Sequence, residues 1–283
     1  MNFFIINPNA GSNSPSHFQK LISKIKEDPN CKIWETTAPL EAYKFAQKAI
    51  QEGASRIIAV GGDGTINEVA SAVVGTDTPL GIIPIGSGNG LARHLKIPLK
   101  INKALQLAKE GTPQKMDVGL LNDKYFFCTA GIGFDACVAQ RFAAGNKRGF
   151  INYIRATFYT LFNYQPIQIA INNGPFEKVF SLTMANANQF GNNAYISPLS
   201  SVQDGLLEII KIKKLSIFQA AIVGVRLFLG NIHKSKWVQT TVCKSIHIKY
   251  QNKGTFHLDG EQLYTNSEEI KVQIQPMALN IVC

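Results

Sequence analysis

The sequence of 283 residues is short of acidic side chains and of cysteine. It has 19 Asp and Glu residues against 29 Lys and Arg residues, for a formal net charge of +10 at pH 7. This charge attracts polyanions and does not choose among nucleic acid, an anionic bilayer and a phosphorylated substrate. The five cysteines form no C-x-x-C pair, which argues against a disulfide framework and favours a cytoplasmic protein.

Long hydrophobic runs are also missing. The amino-terminal residues lack the basic start and long apolar core of a signal peptide, so we expect no export. The longest apolar segment, residues 217–229, is interrupted by Gln219 and Arg226 and is too short to cross a bilayer. Any membrane contact is therefore expected to be peripheral.

Several common binding signatures do not occur. The absence of G-x-x-x-x-G-K-[ST] excludes a P-loop enzyme. Residues 131–136 match G-x-G-x-x-A, but no acidic residue between Asp135 and Glu177 could hold a ribose, which argues against NAD as a redox cofactor. The histidines have no metal-ligand spacing, and no recognition helix, zinc motif or RNP motif supports nucleic acid as a partner.

The hydrophobic pattern changes character near the middle of the chain. The first part predicts alternating strands (2–7, 31–36, 56–60, 80–85) and helices (16–27, 40–52, 65–74, 87–95), which is typical of a doubly wound α/β domain. The second part predicts closely spaced strands near 124–130, 166–171, 178–186, 206–213, 243–250 and 268–275. We therefore predict an α/β domain over 1–114 and a mainly antiparallel β-sandwich-like domain over 115–283. The active site would lie in the cleft between them, and the last strand could return to the first domain.

Three loops rich in small residues each follow a predicted strand of the first domain: Asn7–Ser12, Gly61–Thr65 and Gly86–Gly90. Backbone N–H groups at a helix N-terminus bind anions, and glycine lets a phosphate approach the chain closely. Thr65 is expected to cap the helix that follows its loop. One such loop could be a simple turn, but three at corresponding positions favour a phosphate-binding site.

The block Gly61-Gly-Asp-Gly-Thr-Ile-Asn-Glu68 resembles the diacylglycerol kinase catalytic family of lipid kinases, in its bacterial branch. Further motifs follow in the family's order along essentially the whole chain: Asn7–Gly11, Thr37, Pro84–Arg93, Ala130–Asp135, Asn186 with Gly191, Ser197-Pro198, Asp204-Gly205 and Leu258-Asp-Gly-Glu261. The resemblance implies transfer of the γ-phosphate of ATP, with Mg²⁺, to a lipid hydroxyl, first of all that of diacylglycerol.

Two positions depart from the usual bacterial pattern. Gly90 stands where many members have Asp, and Ser87 stands where they have Thr. A Ser hydroxyl can replace that of Thr, but a charge-based role at position 90 is lost. The Gly-Ser-Gly-Asn version also resembles the sphingosine and ceramide kinase branch, which leaves the acceptor lipid open.

The resemblance also implies roles for individual residues. The ATP site would be lined by Asn7, Pro8, Asn9, Ala10, Gly11, Thr37, Gly62, Asp63, Gly64, Thr65, Ile66, Asn67, Glu68 and Ser87. A metal site would combine the Asp204 carboxylate with backbone oxygens of Ser201 and Leu206. A catalytic acid pair would lie in the late strand hairpin.

Phosphoryl transfer to an alcohol needs Mg²⁺ and a carboxylate that accepts the hydroxyl proton. In an extended strand Asp259 and Glu261 would face the same side, and Gly260 would leave room between them. We assign Asp259 as the base and Glu261 to Mg²⁺ or its water shell, although the stretch alone favours a plain Asp-Gly hairpin turn. Asp63 would repel ATP unless a metal intervenes, so we interpret it as a Mg²⁺ ligand or an alternative base.

The segment between Asp135 and Glu177 combines basic and aromatic residues: Arg141, Phe142, Lys147, Arg148, Phe150, Tyr153, Arg155, Phe158, Tyr159, Phe162 and Tyr164. This composition suits docking on an anionic membrane that supplies the lipid substrate, and it equally suits an amphipathic helix packed on the β domain. NAD kinase, which shares the Gly-Gly-Asp-Gly-Thr block, and a non-catalytic nucleotide-binding regulator are the remaining alternatives. Homodimer formation is left open.

Overall fold

The computed structural model describes residues 1–11, 15–145, 149–251, 255–264 and 267–283. The chain forms two compact units: Met1–Met116 together with Met277–Cys283, and Asp117–Pro276. Ser12, Lys147 and Arg148 of the sequence analysis lie outside the described residues. No helix in the described ranges is long and apolar enough to cross a membrane.

The first unit is a parallel sheet accompanied by helices. Its strands are β1 (Asn2–Ile6), β2 (Cys31–Glu35), β3 (Arg56–Gly61) and β4 (Leu80–Pro84), and its helices are α1 (Pro15–Lys26), α2 (Glu41–Gln51), α3 (Asp63–Val73), α4 (Gly90–His94) and α5 (Ile101–Glu110). The strand order is β2-β1-β3-β4, with every pair parallel. Residues 3–6 and 57–60 are buried without alternation, as in a parallel sheet covered on both faces.

The end of the chain supplies a further strand to this unit. In β15 (Glu269–Val282), Ile281 pairs in parallel with Leu80 of β4. The carbonyl of Ala278 accepts a hydrogen bond from the N–H of Gly75 at 2.8 Å. Leu279, Ile281 and Val282 are all buried, so the last residues belong to the core of the first unit.

The second unit is mainly antiparallel. Its elements are β5 (Pro113–Leu121, which begins before the unit boundary), β6 (Lys124–Phe126), β7 (Thr129–Gly133), α6 (Phe134–Ala144), α7 (Phe150–Asn163), β8 (Ile167–Ile171), β9 (Glu177–Ala185), β10 (Leu207–Lys213), α8 (Ile217–Phe228), β11 (Val238–Cys243), β12 (Ser245–Tyr250), β13 (Thr255–Leu258) and β14 (Glu261–Tyr264). The strand order is β14-β13-β7-β9-β8-β12-β15, with β10 pairing with β9 and β11. These pairs are antiparallel, and the predicted fold class is confirmed.

Some predicted elements have different bounds. The strand predicted over 124–130 is two strands, because residues 127 and 128 leave the ladder and their N–H groups bond to the Asp259 carboxylate. The strand predicted over 243–250 is interrupted at Lys244, where β11 ends and β12 begins with different partners. The helix predicted over 87–95 begins at Gly90, after Asn89 in the left-handed conformation (φ 51°).

Candidate functional site

The three loops predicted to bind phosphate meet in the first unit. A Cβ atom on Gly86 would lie 2.5 Å from the Cα of Gly62, so these two loops touch through their backbones. A Cβ on Gly11 (φ 75°) would collide with the carbonyl oxygen of Ile85. Glycine is therefore required for this close approach, and the loops form one surface at the carboxyl ends of β1, β3 and β4.

Asp63 holds two of these loops together. Its Oδ1 accepts a hydrogen bond from the N–H of Gly90 at 2.7 Å, and its Oδ2 accepts one from the N–H of Asn89 at 2.8 Å. The carboxylate thus caps the start of α4. Its predicted role as a Mg²⁺ ligand or base stays a prediction, and the structure gives it a positioning role. Gly90 contributes its backbone N–H to this arrangement, which needs no side chain there.

Asn7 fixes the first loop against α3. Its Nδ2 donates to Thr65 Oγ1 at 3.1 Å, and its Oδ1 accepts from the N–H of Asn9 at 2.9 Å. The prediction that Thr65 caps the helix is wrong, because α3 begins two residues earlier and Gly62 is its N-cap residue. Gly62 has no side chain with which to cap α3, and the N–H groups of a helix's first turn are the groups that bind an anion.

Glu68 and Thr37 organise the start of α2. The Glu68 carboxylate accepts from the N–H groups of Leu40 (3.0 Å) and Ala42 (3.1 Å). The Glu41 carboxylate accepts from the Thr37 N–H at 2.6 Å, and this bond, followed by that from the Ala38 N–H, lowers the pKa of Glu41. Glu68 therefore positions the loop that carries the exposed Thr37.

The remaining predicted ATP contacts differ in exposure. Pro8, Asn9 and Ser87 are exposed, whereas Ala10, Gly64 and Asn67 are half-buried. Ile66 is 1% exposed, so only its backbone could face a ligand, and its place in the ATP site stays a prediction. Its side chain belongs to the core because it lies on the inner face of α3.

In the second unit, Asp259 and Gly260 form the turn between β13 and β14. Both residues have positive φ, 49° and 84°, as in a two-residue hairpin turn. The predicted extended arrangement, with Asp259 and Glu261 on one face, is therefore wrong. Glu261 pairs with Leu258 to close the hairpin and is exposed.

The Asp259 carboxylate accepts three backbone hydrogen bonds. Oδ2 accepts from the N–H of Phe127 at 2.9 Å, and Oδ1 accepts from those of Cys128 (2.7 Å) and Thr129 (3.0 Å). These three donors fix the orientation of the carboxylate. Asp259 is thus held in place by a loop more than 100 residues earlier in the chain.

The predicted metal-binding residues lie in one loop of the second unit. Asp204 Oδ1 accepts from the Leu206 N–H at 3.0 Å, and Ser201 Oγ accepts from the N–H of Gln203 at 3.2 Å. The buried Asp117 anchors this loop, because its Oδ2 accepts from the Gly205 N–H at 2.7 Å. In the described part of the chain no three His, Cys, Asp or Glu side chains are grouped to hold a metal.

Glu208 adds a second carboxylate beside this loop. Burial raises its pKa, and the negative charge of Asp204 adds to the effect. A divalent cation would offset two carboxylates of like charge, and Mg²⁺ takes oxygen ligands such as the Asp204 carboxylate and backbone carbonyls. The residues present therefore fit the predicted Mg²⁺ site.

Two family models together cover most of the chain. Residues 2–121 match the diacylglycerol kinase catalytic domain, and residues 128–283 match the YegS C-terminal NAD kinase beta sandwich-like domain. The second match alone spans more than half of the sequence. Relatives named as YegS-like lipid kinase and as diacylglycerol kinase are at least 30% identical over more than two thirds of their length. The chain belongs to the diacylglycerol kinase family of lipid kinases.

Individual relatives agree with this membership. A Chromohalobacter salexigens protein named "Probable lipid kinase YegS-like" is 35% identical over 182 residues, which are 61% of this chain and 58% of the relative. A Mycobacterium tuberculosis protein named diacylglycerol kinase is 31% identical over 228 residues, 74% of this chain and 71% of that protein. The crystal structure of a diacylglycerol kinase from Bacillus anthracis shares the fold, with a TM-score of 0.74 at 23% identity over 99% of this chain and 96% of that one.

This member of the diacylglycerol kinase family has a large cavity in its second unit. The cavity has a volume of about 1120 Å³ and is lined by α6, α7 and the strands around β8. Arg141 and Lys178 contribute cationic side chains, and Ile132, Ile167 and Tyr250 contribute apolar surface. A cavity of this size accommodates a ligand with both an apolar and an anionic part.

Sequence reasoning assigned no role to three acidic positions in this family member. Asp117 and Glu208 support the predicted metal loop, and Asp135 accepts a 2.7 Å hydrogen bond from Thr183 Oγ1 with His257 Nε2 3.3 Å away. Asp117 and Glu208 each lie in or beside an apolar strand. A buried acidic side chain needs a hydrogen-bond or ionic partner, so an acidic residue within an apolar strand is a sequence signal for a functional or structural role.

Proposed function

We propose that this protein is an ATP- and Mg²⁺-dependent lipid kinase that phosphorylates a lipid hydroxyl, with diacylglycerol as first acceptor and phosphatidic acid as product. The relative from Mycobacterium tuberculosis named diacylglycerol kinase supports this acceptor. The observation that carries the proposal is the contact among the three glycine loops beside the N-terminus of α3, whose N-cap residue is Gly62.

The phosphates of ATP would meet the backbone N–H groups of these loops. A helix N-terminus favours negative charge, and the glycines leave room for the phosphate oxygens. Asp63 keeps the loop around Asn89 in position, and Asn7 fixes the first loop through Thr65. Pro8, Asn9, Ser87 and Thr37 remain the proposed contacts to the rest of the nucleotide.

Asp259 is the proposed acceptor of the hydroxyl proton. A carboxylate that accepts three N–H bonds is firmly oriented. Phosphoryl transfer through a loose transition state needs little proton abstraction before the new bond forms. The larger contribution of Asp259 to the rate is then to orient the acceptor hydroxyl. The three N–H bonds hold the carboxylate in position for this role.

The proposed Mg²⁺-binding groups are Asp204 with backbone oxygens of Ser201 and Leu206, and Asp63 and Glu261 on the catalytic side. Mg²⁺ would offset charge on the phosphates during transfer. Asp63 already accepts two backbone N–H bonds, which would compete with a metal ion for its carboxylate oxygens.

We further propose that the acceptor is taken from an anionic membrane by peripheral contact on the cytoplasmic side. The net charge of +10 supports this proposal. The cavity lined by Arg141 and Lys178 is the proposed site for part of the lipid.

The test is incubation of the purified protein with γ-labelled ATP, Mg²⁺ and mixed micelles that contain one candidate acceptor each. The panel comprises diacylglycerol, monoacylglycerol, ceramide, sphingosine and an isoprenol, with NAD as a soluble control. We expect label in diacylglycerol. Label in sphingosine or ceramide would move the acceptor to that branch, label in NAD would contradict the lipid proposal, and label in none would favour a non-catalytic regulator.

A further inference from the structure

Helix α7 exposes apolar side chains along its outer face. Phe150, Ile151, Phe158, Tyr159 and Phe162 are between 38% and 67% exposed. Ile151, Phe158 and Phe162 lie on one side of the helix at helical spacing, so they form an outward apolar stripe that the exposed Arg155 interrupts. An outward stripe of this kind is the reverse of the polar face that a surface helix normally presents to water.

Helix α8 and its C-cap residue have the same feature. Ile217, Phe218, Val225, Phe228 and Leu229 are between 46% and 76% exposed. The two helices thus carry ten of the seventeen large hydrophobic side chains that are exposed within the described ranges. Such a concentration is typical of an interaction surface rather than of scattered exposure.

These two sets of side chains meet. The rings of Phe150, at the start of α7, and Phe228, at the end of α8, lie edge to face with centroids 6.0 Å apart. We use the name α7–α8 face for the ten exposed residues Phe150, Ile151, Phe158, Tyr159, Phe162, Ile217, Phe218, Val225, Phe228 and Leu229.

The surroundings of the α7–α8 face are basic. No acidic residue occurs in residues 136–176 or in residues 209–258, the two stretches that contain these helices. Lys213 and Lys214 are exposed just before α8, and Arg155 is exposed on α7. The Arg141 guanidinium lies 3.3 Å from the centroid of the Tyr159 ring, which places a cation on the face itself.

We propose that the α7–α8 face inserts its apolar side chains into the surface of an anionic lipid bilayer. Apolar side chains ringed by Lys and Arg bind such a surface through burial and charge attraction together. Pairing of two copies through this face would bring two basic rims together, which charge repulsion opposes. The inference rests on the proposed function only in that the acceptor would be drawn from the same bilayer.

The test is co-sedimentation of the full chain with vesicles of phosphatidylcholine alone or with 30% phosphatidylglycerol, without ATP. Phe218→Ser with Leu229→Ser should weaken binding to anionic vesicles about tenfold or more, because two exposed apolar anchors are removed. Lys213→Glu with Lys214→Glu should weaken it comparably at low salt and much less at high salt. Val242→Ser with Leu99→Ser, two exposed aliphatic side chains elsewhere, is the matched control and should bind like the wild type.

Equal binding by the Phe218/Leu229 variant and the control would overturn the proposal. The proposal would also be overturned if the wild type bound no vesicles and instead formed dimers, measured by analytical ultracentrifugation, and if the Phe218/Leu229 variant did not form them. Activity on a short-chain diacylglycerol below its micellar concentration distinguishes the membrane-binding proposal from the proposed kinase function. The variant should keep that activity and lose activity on vesicles, and a wild type that binds vesicles but phosphorylates nothing would contradict the proposed function alone.

Discussion

At the scale of single residues, the acids of the candidate sites are hydrogen-bonded to backbone N–H groups. Asp63, Glu68 and Asp259 each accept two or three such bonds from segments distant in sequence. Charge-assisted bonds of this kind are about twice as strong as neutral ones. The same side chain can therefore serve the fold and the chemistry, and substitutions must be designed to separate the two.

Asp259→Asn should lower kcat by about a hundredfold or more, since positioned proton acceptors contribute at least that much. It should leave the rise in melting temperature with Mg·ATP nearly intact, because the proposed phosphate loops lie in the first unit. Both quantities are measured on the same preparation. Asp123→Asn, in an exposed turn of the second unit, is the control. Near-normal turnover of the Asp259→Asn variant would show that Asp259 is not the base.

Asp63→Asn should affect nucleotide use and stability together. The Asn amide group would face a backbone N–H in place of an acceptor oxygen, which costs about 1–3 kcal/mol of unfolding free energy. The displaced loop should raise KM for ATP. Urea unfolding and steady-state kinetics measure these effects, with the exposed Asp77→Asn as control. If both variants behaved alike, the loop-positioning role of Asp63 would be wrong.

At the scale of elements, the turn after α1 is fastened to α5 by an ion pair. Asp28 Oδ2 lies 2.6 Å from Lys109 Nζ, and an Asp28 oxygen accepts from the Asn30 N–H at 2.9 Å. The bond to Lys109, followed by that to Asn30, lowers the pKa of Asp28 from 3.8 to about 2. Because the folded-state pKa is the lower one, the pair stabilises the fold above pH 4 and loses this effect as the pH falls towards 2.

Asp28→Asn should therefore unfold at lower urea concentration than the wild type at pH 7, with a difference that shrinks between pH 4 and pH 2. Urea midpoints at pH 7, 4, 3 and 2 test this expectation. The Glu27→Gln variant, which changes the exposed neighbouring acid, should show no such change of its urea midpoint difference with pH. A deficit for Asp28→Asn that is the same at every pH would contradict the ion-pair explanation.

Elements with uninterrupted apolar runs could be predicted from the sequence, whereas those set by distant partners could not. Residues 2–6 and 56–61 form the expected strands because the run alone requires burial on both sides. The break at residues 127 and 128 depends on Asp259, whose own backbone was wrongly expected to be extended. Asp259-Gly260 shows that local turn chemistry is the better guide at such a position.

In the candidate site, too, some features could be predicted from local sequence and others depend on distant partners. The glycine loops could be predicted because a strand, a glycine cluster and a helix follow one another in sequence. The partners of Asp63 lie 26 and 27 residues further on, in a loop whose position depends on the packing of β4. No local pattern indicates that pairing, so its role in joining two loops emerged only from the structure.

At the scale of the whole molecule, the first unit is completed by the end of the chain. Residues 277–283 return to it after the entire second unit, and Ile281 is 1% exposed. Nucleotide binding by the first unit should therefore depend on the last seven residues.

Ile281→Ala should lower the unfolding free energy of the first unit by about 2–5 kcal/mol, because it leaves a cavity in a packed core. The two tryptophans report the units separately: Trp34 lies on β2 against Phe3 and Phe45, and Trp237 lies in the second unit. Urea unfolding of Ile281→Ala in a Trp237→Phe background follows Trp34, with the exposed Val242→Ala as control. We expect the Trp34 transition to move to lower urea and the Mg·ATP-dependent rise in melting temperature to shrink. A Trp34 transition that stays in place would show that the first unit does not need its carboxyl-terminal strand.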